Sequence, residues 1–418
     1  MENKNPEART KLTFLRRMAL MALVISASLL QLSDRAVIVQ PISFDGSKFT
    51  PGINYPWNHY GRDFGSNAWG HAGVSIPTEA QRIDADFEEM KKHGVQITRW
   101  FVFGDARSGI VVAQDGTPTG FDEHVLNDLD AAVSIARKHK VYVIFVLFDF
   151  LLVEKASVKD GVTMGGRRDW IVDPRKRKAL IENVITPLLK RYGKEPIVAA
   201  WEVMNEPEWA MRLRLRNKPH QVKIAEMQKF VTEIVQAIHA NSDRPATVGS
   251  ASPRYLKYWR KVGLDLYQYH YYPKLEGRLY PGAEFSHTGL NLDKPLILGE
   301  FPTDAPLTQT VDYFDNALSN GCAGALGWSM RATDQYSNAQ KGLSPISGWS
   351  RQHSGKASSP PPGSGNGTGS SPAPQNGAGH QQNVPNTPEA PSAPKPSDLP
   401  APKKGIVVES VPVGTQQF

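Results

Sequence analysis

The chain has 418 residues, which is enough for one large domain or two ordinary ones. Its 48 Lys and Arg residues outnumber its 41 Asp and Glu residues, but the excess is spread along the chain. No run interleaves basic residues with stacking aromatics, so the charge indicates a solvated surface and argues against a nucleic-acid partner. The single cysteine, Cys322, excludes an intramolecular disulfide and a cysteine-rich metal site.

The first 36 residues have the pattern of a targeting segment. Lys11, Arg16 and Arg17 precede a stretch from Met18 to Leu30 that is apolar apart from two serines. A positive region before a short apolar one is typical of an export signal, and the stretch is short for a membrane span of about 20 residues. Residues 1–36 are therefore predicted to be a signal peptide or an uncleaved N-terminal anchor, with an ordinary buried helix as the remaining alternative. Either leading case predicts export: periplasmic, extracellular, or membrane-anchored and facing outward.

Strand-like apolar runs alternate with helical patterns between residues 44 and 351. The eight strand candidates are, in chain order, residues 52–54, 95–103, 141–148, 197–204, 246–249, 266–271, 296–298 and 323–328. Helical patterns at residues 78–93, 125–139, 178–192 and 222–240 lie between them. Continuous apolar strands that alternate with helices indicate a parallel sheet, and eight such units predict an α/β fold of the closed (β/α)8 TIM-barrel type.

An open doubly wound sheet is the competing architecture. It would normally carry a glycine-rich phosphate turn after the first strand, and the segment from Asn54 to Asn58 is not such a turn. The sixth unit lacks a clear helix, and the eighth offers only a short candidate broken by Gly and Pro. The predicted barrel domain therefore spans residues 44–351.

The composition changes abruptly after the barrel. Twelve of the 32 prolines lie between Gln352 and Lys403, where there is no aromatic residue. Such a segment cannot bury enough apolar surface to offset its ordering entropy. Residues 352–418 are therefore predicted to be a disordered linker and tail that carries no second domain.

Two glutamates follow predicted strands at the positions where a barrel collects its reacting groups. Glu206 follows the fourth strand in Asn205-Glu206-Pro207, and Glu300 follows the seventh. Glycoside cleavage requires one carboxyl to protonate the leaving oxygen and another to attack or to activate water. Because strands four and seven lie on opposite sides of the barrel mouth, the pair could flank a bound sugar.

The run from Trp201 to Pro207, WEVMNEP, resembles the Asn-Glu-Pro signature of the glycoside hydrolase clan with catalytic glutamates on strands four and seven. Within that clan the chain is similar to glycoside hydrolase family 5, the cellulase and mannanase family, over residues 44–328. The resemblance implies a retaining hydrolase that cleaves a β-linked polysaccharide of the mannan or glucan type by double displacement. Glu206 would be the acid/base, protonated at rest, and Glu300 the ionised nucleophile.

Other residues match the family in order. Arg99 resembles the arginine that contacts the nucleophile, although pairing with Glu202 is the alternative. His270 and Tyr272 resemble the pair that lines the cleavage subsite, and Trp328 resembles the tryptophan at its floor. Asn205 is expected to bond a sugar 2-hydroxyl, and Asp149 is a further candidate for the cleft. The aromatics that could stack on sugar faces, if they do not simply pack, are Trp57, Tyr60, Trp69, Trp170 and Trp209.

No histidine spacing typical of a metal site is present, so neither a metal nor another cofactor is expected. The expected partner is a polysaccharide or oligosaccharide, the expected state is a monomer, and membrane contact is expected only through the possible N-terminal anchor. Two alternatives remain open. One is a non-catalytic carbohydrate-binding barrel, and the other is a transglycosylase or an enzyme that processes the cell's own exopolysaccharide.

Overall fold

The computed structural model of the protein describes residues 39–213, 217–304 and 307–353. All of these residues belong to one compact unit. The predicted targeting segment at residues 1–36 lies outside the described residues, as does the predicted tail beyond residue 353. Within the described ranges, no helix has both the length and the apolar character needed to span a membrane.

Eight parallel strands form a closed barrel. They are β1 Thr50–Ile53, β2 Ile97–Phe101, β3 Tyr142–Asp149, β4 Val198–Asn205, β5 Ala246–Ser250, β6 Tyr267–His270, β7 Leu296–Pro302 and β8 Gly324–Trp328. The barrel closes where β1 pairs with both β8 and β2, with Thr50 opposite Gly324 and Gly52 opposite Ile97. All eight strands overlap the apolar runs seen in the sequence, and every barrel strand is buried along its whole length or all but its first residue. The predicted (β/α)8 fold is confirmed.

Helices surround the barrel. They are α1 Pro77–Lys92, α2 Val125–His139, α3 Arg168–Val172, α4 Pro174–Leu180, α5 Thr186–Tyr192, α6 Ile224–Asn241, α7 Pro273–Glu276, α8 Leu307–Ser319 and α9 Ala339–Gln352. A π-helical turn at Ile181–Ile185 joins α4 to α5. The units after β5 and β6 have only short helical turns, at Pro253–Tyr258, α7 and Ala283–Phe285. The missing sixth helix was predicted, because that segment has no sustained apolar periodicity.

The last helix was predicted to be short and broken by Gly and Pro, but it is continuous in the structure. α9 runs for 14 residues although it contains Pro345, and the side chain of Asn338 caps its start by accepting from the Lys341 N–H at 2.9 Å. Gly342 allows close packing on the barrel, since a Cβ there would lie 2.8 Å from Cδ1 of Ile53. Burial of this face against β1 offsets the low helix propensity of Gly and Pro.

Three β-hairpins enlarge one side of the barrel mouth. They pair Ser66–Asn67 with Gly70–His71, Ile110–Val112 with Pro118–Phe121, and Ser157–Lys159 with Val162–Met164. They lie in the loops that follow β1, β2 and β3. Loops at the C-terminal ends of barrel strands are where this fold builds its binding surfaces, so the hairpins border the cleft that holds Glu206 and Glu300.

Candidate active site

A fully buried arginine connects the polar groups at the barrel mouth. Arg99 on β2 donates to both carboxylate oxygens of Glu202, from Nε at 2.8 Å and from Nη2 at 2.6 Å. Its Nη1 donates to Oε1 of Glu300 at 2.7 Å and to Oδ1 of Asn54 at 2.9 Å, and Nη2 reaches Oδ1 of Asn205 at 3.1 Å. All five N–H donors of the guanidinium thus have acceptors. Both sequence interpretations of Arg99 hold, because it contacts Glu300 and also pairs with Glu202.

The charge of Arg99 is retained despite its burial. Burial alone disfavours the cation, but the carboxylates of Glu202 and Glu300 outweigh it and raise the pKa of Arg99 above its ordinary range. A buried charge is tolerated when it is paired and its remaining hydrogen-bonding groups are satisfied. Arg99 can therefore act as a fixed positive charge beneath Glu300.

Glu300 was predicted to follow the seventh strand, but β7 continues to Pro302, so Glu300 lies within it and is 3% exposed. Its Oε2 accepts from the Tyr272 hydroxyl at 2.7 Å and lies 3.4 Å from Nδ1 of His270. Burial raises the pKa of Glu300, whereas the charge of Arg99 and the hydrogen bond from Tyr272 favour the carboxylate. Each oxygen of Glu300 thus has a strong donor, so the carboxylate is oriented from both sides.

Glu206 lies one residue beyond β4 and has a different setting. Its backbone is left-handed, with φ 44° and ψ 50°, a conformation rare for residues other than glycine. Its N–H donates to the carbonyl of Gly249 at 2.7 Å, which anchors the turn to β5. Oε1 lies 2.8 Å from Nδ1 of His270, and Oε2 accepts from the indole N–H of Trp209 at 2.6 Å. The side chain remains 15% exposed, so a substrate can reach it.

The two glutamates face each other across His270. One oxygen of each carboxylate and a ring nitrogen of His270 all lie within 4.8 Å of one another. Retaining glycosidases hold their two carboxyls about 5 to 5.5 Å apart, whereas inverting enzymes leave about 6.5 Å or more for a water. Burial lowers the pKa of His270 to about 4, so its ring is neutral in neutral solution. The spacing fits direct attack by one carboxylate rather than attack by an interposed water.

The same three residues are the one group among the described residues whose spacing could hold a metal ion. Their distances are explained by the hydrogen bonds of His270, since its Nδ1 lies 2.8 Å from Glu206 and 3.4 Å from Glu300. The expectation that catalysis uses no metal stays a prediction.

Asn205 is held in a defined orientation. Its Nδ2 donates to Oδ2 of Asp149 at 3.0 Å while its Oδ1 accepts from Arg99. Asp149 is buried, and burial followed by the nearby charge of Glu206 raises its pKa to about 8, although hydrogen bonds from Leu151 and Asn205 oppose this. The amide carries a second N–H that can meet a sugar hydroxyl. Asp149 was predicted only as a candidate for the cleft, and its role in fixing the amide was missed.

An aromatic wall lies beside Glu300. It consists of Trp57, Tyr272, Trp328 and Tyr336, with Ala332 between them. The rings of Trp57 and Trp328 meet edge to face at 5.8 Å, and Asp334 accepts from the indole N–H of Trp328 at 2.7 Å. The apolar C–H face of a sugar can pack on such a surface.

The other aromatic candidates have separate roles. Trp170 is 1% exposed and donates to the carbonyl of Gly116, so it packs in the core. The indole of Trp69 donates to the carbonyl of Lys159 in a hairpin, and Tyr60 lies 4.7 Å from the guanidinium of Arg107. Trp209 bonds Glu206. The sequence could not separate these roles, because each tryptophan follows or flanks a strand.

Sequence reasoning also missed three buried polar residues. Asn54 donates to the carbonyls of Gly299 and Gly327, which ties β1 to β7 and β8. Gln268 on β6 donates to Glu202 at 2.6 Å. Glu208 accepts from the Ser250 hydroxyl at 2.7 Å, from the Ala251 N–H at 3.0 Å and from the Trp259 indole N–H at 2.6 Å. A polar residue in an otherwise apolar strand was the available signal for Gln268.

No family model matches the chain. A mannan endo-1,4-beta-mannosidase of Cryptopygus antarcticus is 26% identical over 357 residues, which cover 75% of this chain and 90% of the relative. The structure of an endo-1,4-beta-mannanase from Eisenia fetida has a TM-score of 0.60 and 22% identity, over 74% of this chain and 94% of that one. A GH5_18 protein from Streptomyces cattleya has a TM-score of 0.55 and 12% identity, over 75% and 83% of the two chains. At these identities the structural likenesses establish the fold.

A closed barrel with opposed glutamates at the ends of β4 and β7 defines a retaining-type glycoside hydrolase. The sequence relatives agree with the predicted resemblance to glycoside hydrolase family 5: the chain is similar to mannan endo-1,4-beta-mannosidases over about three quarters of its length, and solved mannanase structures share its fold.

Proposed function

We propose that the protein is an endo-acting β-1,4-mannanase that works with net retention. The observation that carries the mechanism is the close approach of Glu206 and Glu300, with one oxygen of each within 4.8 Å of the other. The choice of mannan over glucan is supported by the relatives, since the Cryptopygus antarcticus protein is named a mannan endo-1,4-beta-mannosidase and aligns over 90% of its length.

In the first step Glu300 attacks the anomeric carbon while Glu206 gives its proton to the departing glycosidic oxygen. The product of this step is a covalent glycosyl–Glu300 intermediate. In the second step Glu206 takes a proton from water as the water oxygen displaces Glu300. Arg99 and Tyr272 orient the attacking carboxylate, Asn205 faces the sugar 2-hydroxyl, and Trp57 and Trp328 pack against the ring.

Azide rescue tests the two glutamates separately. Glu300→Ala should abolish turnover, and azide should restore cleavage with inverted product configuration, because azide enters the space of the missing nucleophile. Glu206→Ala should spare glycosylation with activated aryl glycosides, and azide should then yield a glycosyl azide of retained configuration. Wild-type products of inverted configuration would overturn the assignment of Glu300.

A substrate screen tests the specificity. Purified protein should release oligosaccharides from β-1,4-mannan much faster than from cellulose, xylan or mixed-linkage glucan. Release of monosaccharide alone would contradict endo action. Faster cleavage of glucan than of mannan would make glucan the assigned substrate. Binding to mannan with no cleavage would favour a non-catalytic barrel. Dominant formation of longer oligosaccharides at low acceptor concentration would instead favour a transglycosylase.

We further propose that the enzyme is exported and acts as a monomer, followed by a tail that is not needed for catalysis. The basic residues before the Met18–Leu30 stretch support export, and the Pro-rich composition beyond Gln352 supports a dispensable tail. Cell fractionation tests the first point, and full-length protein in the cytoplasm would contradict it. A chain ending at His353 should keep its melting temperature and its activity on soluble oligosaccharides.

A further inference from the structure

The segment that follows Glu206 is held firmly against the β5 side of the barrel. Pro207–Ala210 form a 3-10 helix, and the carbonyl of Trp209 accepts from the side-chain amide of Gln221 at 2.9 Å. Glu208 is completely buried within this segment. It accepts from the Ser250 hydroxyl at 2.7 Å and from the Ala251 N–H at 3.0 Å, both at the end of β5. These bonds fix the position of Trp209.

The indole of Trp209 constrains which oxygen of Glu206 can carry a proton. Its N–H lies 2.6 Å from Oε2, and an indole nitrogen is only a donor, so Oε2 is an acceptor while this bond persists. The carbonyl oxygen of a carboxylic acid is a stronger acceptor than its hydroxyl oxygen, so this bond favours the tautomer of neutral Glu206 that carries its proton on Oε1. Nδ1 of His270 lies 2.8 Å from Oε1, and this neutral imidazole can accept there when its own proton is on Nε2.

We propose that Trp209 is a positioning residue for the acid/base step: it reserves Oε2 of Glu206 as an acceptor, so that Oε1 carries the transferred proton, and Glu208 anchors it. The proposal rests on the acid/base role proposed for Glu206. In glycosylation the Oε1 proton passes to the glycosidic oxygen as its bond to carbon breaks and the bond to Glu300 forms. In deglycosylation a water proton returns to Oε1 as the water oxygen displaces Glu300.

Glu206 shares its end of the barrel with several charged or titratable groups. They are Arg99 on β2, Asp149 at the end of β3, Glu202 on β4, Glu208 beyond β4, His270 and Tyr272 at the end of β6, and Glu300 on β7. Burial raises the pKa of Asp149 to about 8 and that of Glu208 to about 7, so both titrate near the alkaline limb of activity. The effect of Trp209 must therefore be measured with Asp149 present and with Asp149→Asn.

The decisive variant is Trp209→Phe, which removes the N–H and keeps an aromatic ring. A donor to a carboxylate favours its ionised form, so its loss should move the alkaline limb of kcat/KM on manno-oligosaccharides upward by about 0.5 to 1 pH unit. The acidic limb should stay in place, and the upward shift should recur with Asp149→Asn. Trp69→Phe is the matched control, because its indole donates to the Lys159 carbonyl, and its alkaline limb should match the wild type. A folded Trp209→Phe variant with the wild-type alkaline limb would overturn the proposal.

Glu208→Gln tests the anchor. The amide NH2 of the glutamine would face O–H and N–H groups that now donate to the carboxylate, so the melting temperature should fall. The alkaline limb of kcat/KM should move in the same direction as for Trp209→Phe. If the melting temperature falls but the alkaline limb of kcat/KM stays at the wild-type pH, Glu208 does not anchor Trp209 for the acid/base step. The proposed function fails separately, if Glu206→Ala retains full activity on unactivated mannan. If Glu206→Ala loses activity as expected but Trp209→Phe keeps the wild-type alkaline limb, only the positioning role of Trp209 is wrong.

Discussion

The ends of β7 and β4 present chemically equivalent carboxylates in opposite ways. Glu300 sits inside its strand, where a fixed cation and a tyrosine hydroxyl each hold one oxygen. Glu206 sits beyond its strand on a left-handed backbone, where Trp209 and the neutral His270 are its neighbours. A buried cation favours the ionised form of a carboxyl such as Glu300. Neutral neighbours at a partly exposed site allow a carboxyl such as Glu206 both to release and to accept a proton. The position of each carboxyl relative to its strand end therefore matches the role proposed for it, with Glu300 as nucleophile and Glu206 as acid/base.

Replacing the guanidinium should have the largest effect on this contrast. Arg99→Lys loses the planar fork that bonds Glu202 and Glu300 together, and an ammonium cannot replace its five donors. We expect kcat/KM on mannan to fall by roughly 10² to 10³-fold, because Glu300 loses the fixed donor that orients its Oε1. Arg177→Lys is the control, since Arg177 is a buried arginine paired with Glu233 at 2.6 Å outside the site. It should lower the melting temperature and leave kcat/KM unchanged, and equal activity losses in both variants would refute the special role of Arg99.

The tyrosine hydroxyl is the next contribution on the β7 side. Tyr272→Phe deletes one donor to Glu300, so kcat should fall by about 10 to 100-fold. The same deletion should raise the pKa of Glu300 and move the acidic limb of kcat/KM to higher pH, because the lost bond favoured the ionised form. Tyr313→Phe removes a hydroxyl that bonds the Leu279 carbonyl and should leave the pH profile unchanged. A Tyr272→Phe profile that moves only at its alkaline limb would place Tyr272 with Glu206 instead.

Gly249 lies next to both Glu206 and Arg99. Its substitution should have a smaller effect, mainly on stability. Its carbonyl accepts from the Glu206 N–H, and a Cβ would lie 2.4 Å from Oε1 of Glu202 and 3.0 Å from Nη2 of Arg99. Gly249→Ala should lower the free energy of unfolding by about 1 to 3 kcal/mol, as overpacked core sites do. Gly348→Ala is the control, because a Cβ there meets nothing within 4 Å. Equal denaturant midpoints for both variants would show that the site adapts to the extra methyl group.

The last expected effect concerns the pH dependence of stability and leaves the proposed chemistry untouched. The pKa of Asp149 is raised to about 8 from an ordinary 3.8, so the native state binds this proton more tightly than the unfolded chain does. Its stabilising contribution is complete below the ordinary value and is lost as pH rises through about 8. Asp149→Asn should therefore flatten the fall in melting temperature between about pH 4 and about pH 8. Parallel melting curves for variant and wild type would contradict the raised pKa.

The sequence was most informative about the barrel. All eight strands were predicted because each is a short, continuous apolar run buried on both faces. The hairpins after β1, β2 and β3 were not, since they are two to four residues long and are set by tight turns rather than by periodicity. α9 was underestimated because packing of Gly342 on Ile53 outweighs local propensity.

The sequence predicted which residues form the candidate site, but it did not predict several of the hydrogen bonds between them. The WEVMNEP run placed Glu206, and the seventh strand candidate placed Glu300, at the mouth of the barrel. The structure brings Arg99, Asn205, His270 and Tyr272 to them. The bond between Asp149 and Asn205 could have been inferred, because both end adjacent strands and face each other in the register. The left-handed backbone of Glu206 could not, since a residue before proline is usually extended. The bond from Trp209 depends on that same turn.

The pairing of β1 with β8 has a consequence for how the chain acquires its structure. Thr50 and Gly324 are neighbours in the sheet although almost the whole barrel separates them in sequence. Until β8 has been made, β1 and β7 each present an unpaired edge that can recruit strands from other molecules. Long-range pairing of this kind slows folding, so closure of the ring is a late event. Burial of Arg99 among strands from both halves means that its partners also assemble late, and chains cut short before β8 should aggregate rather than fold.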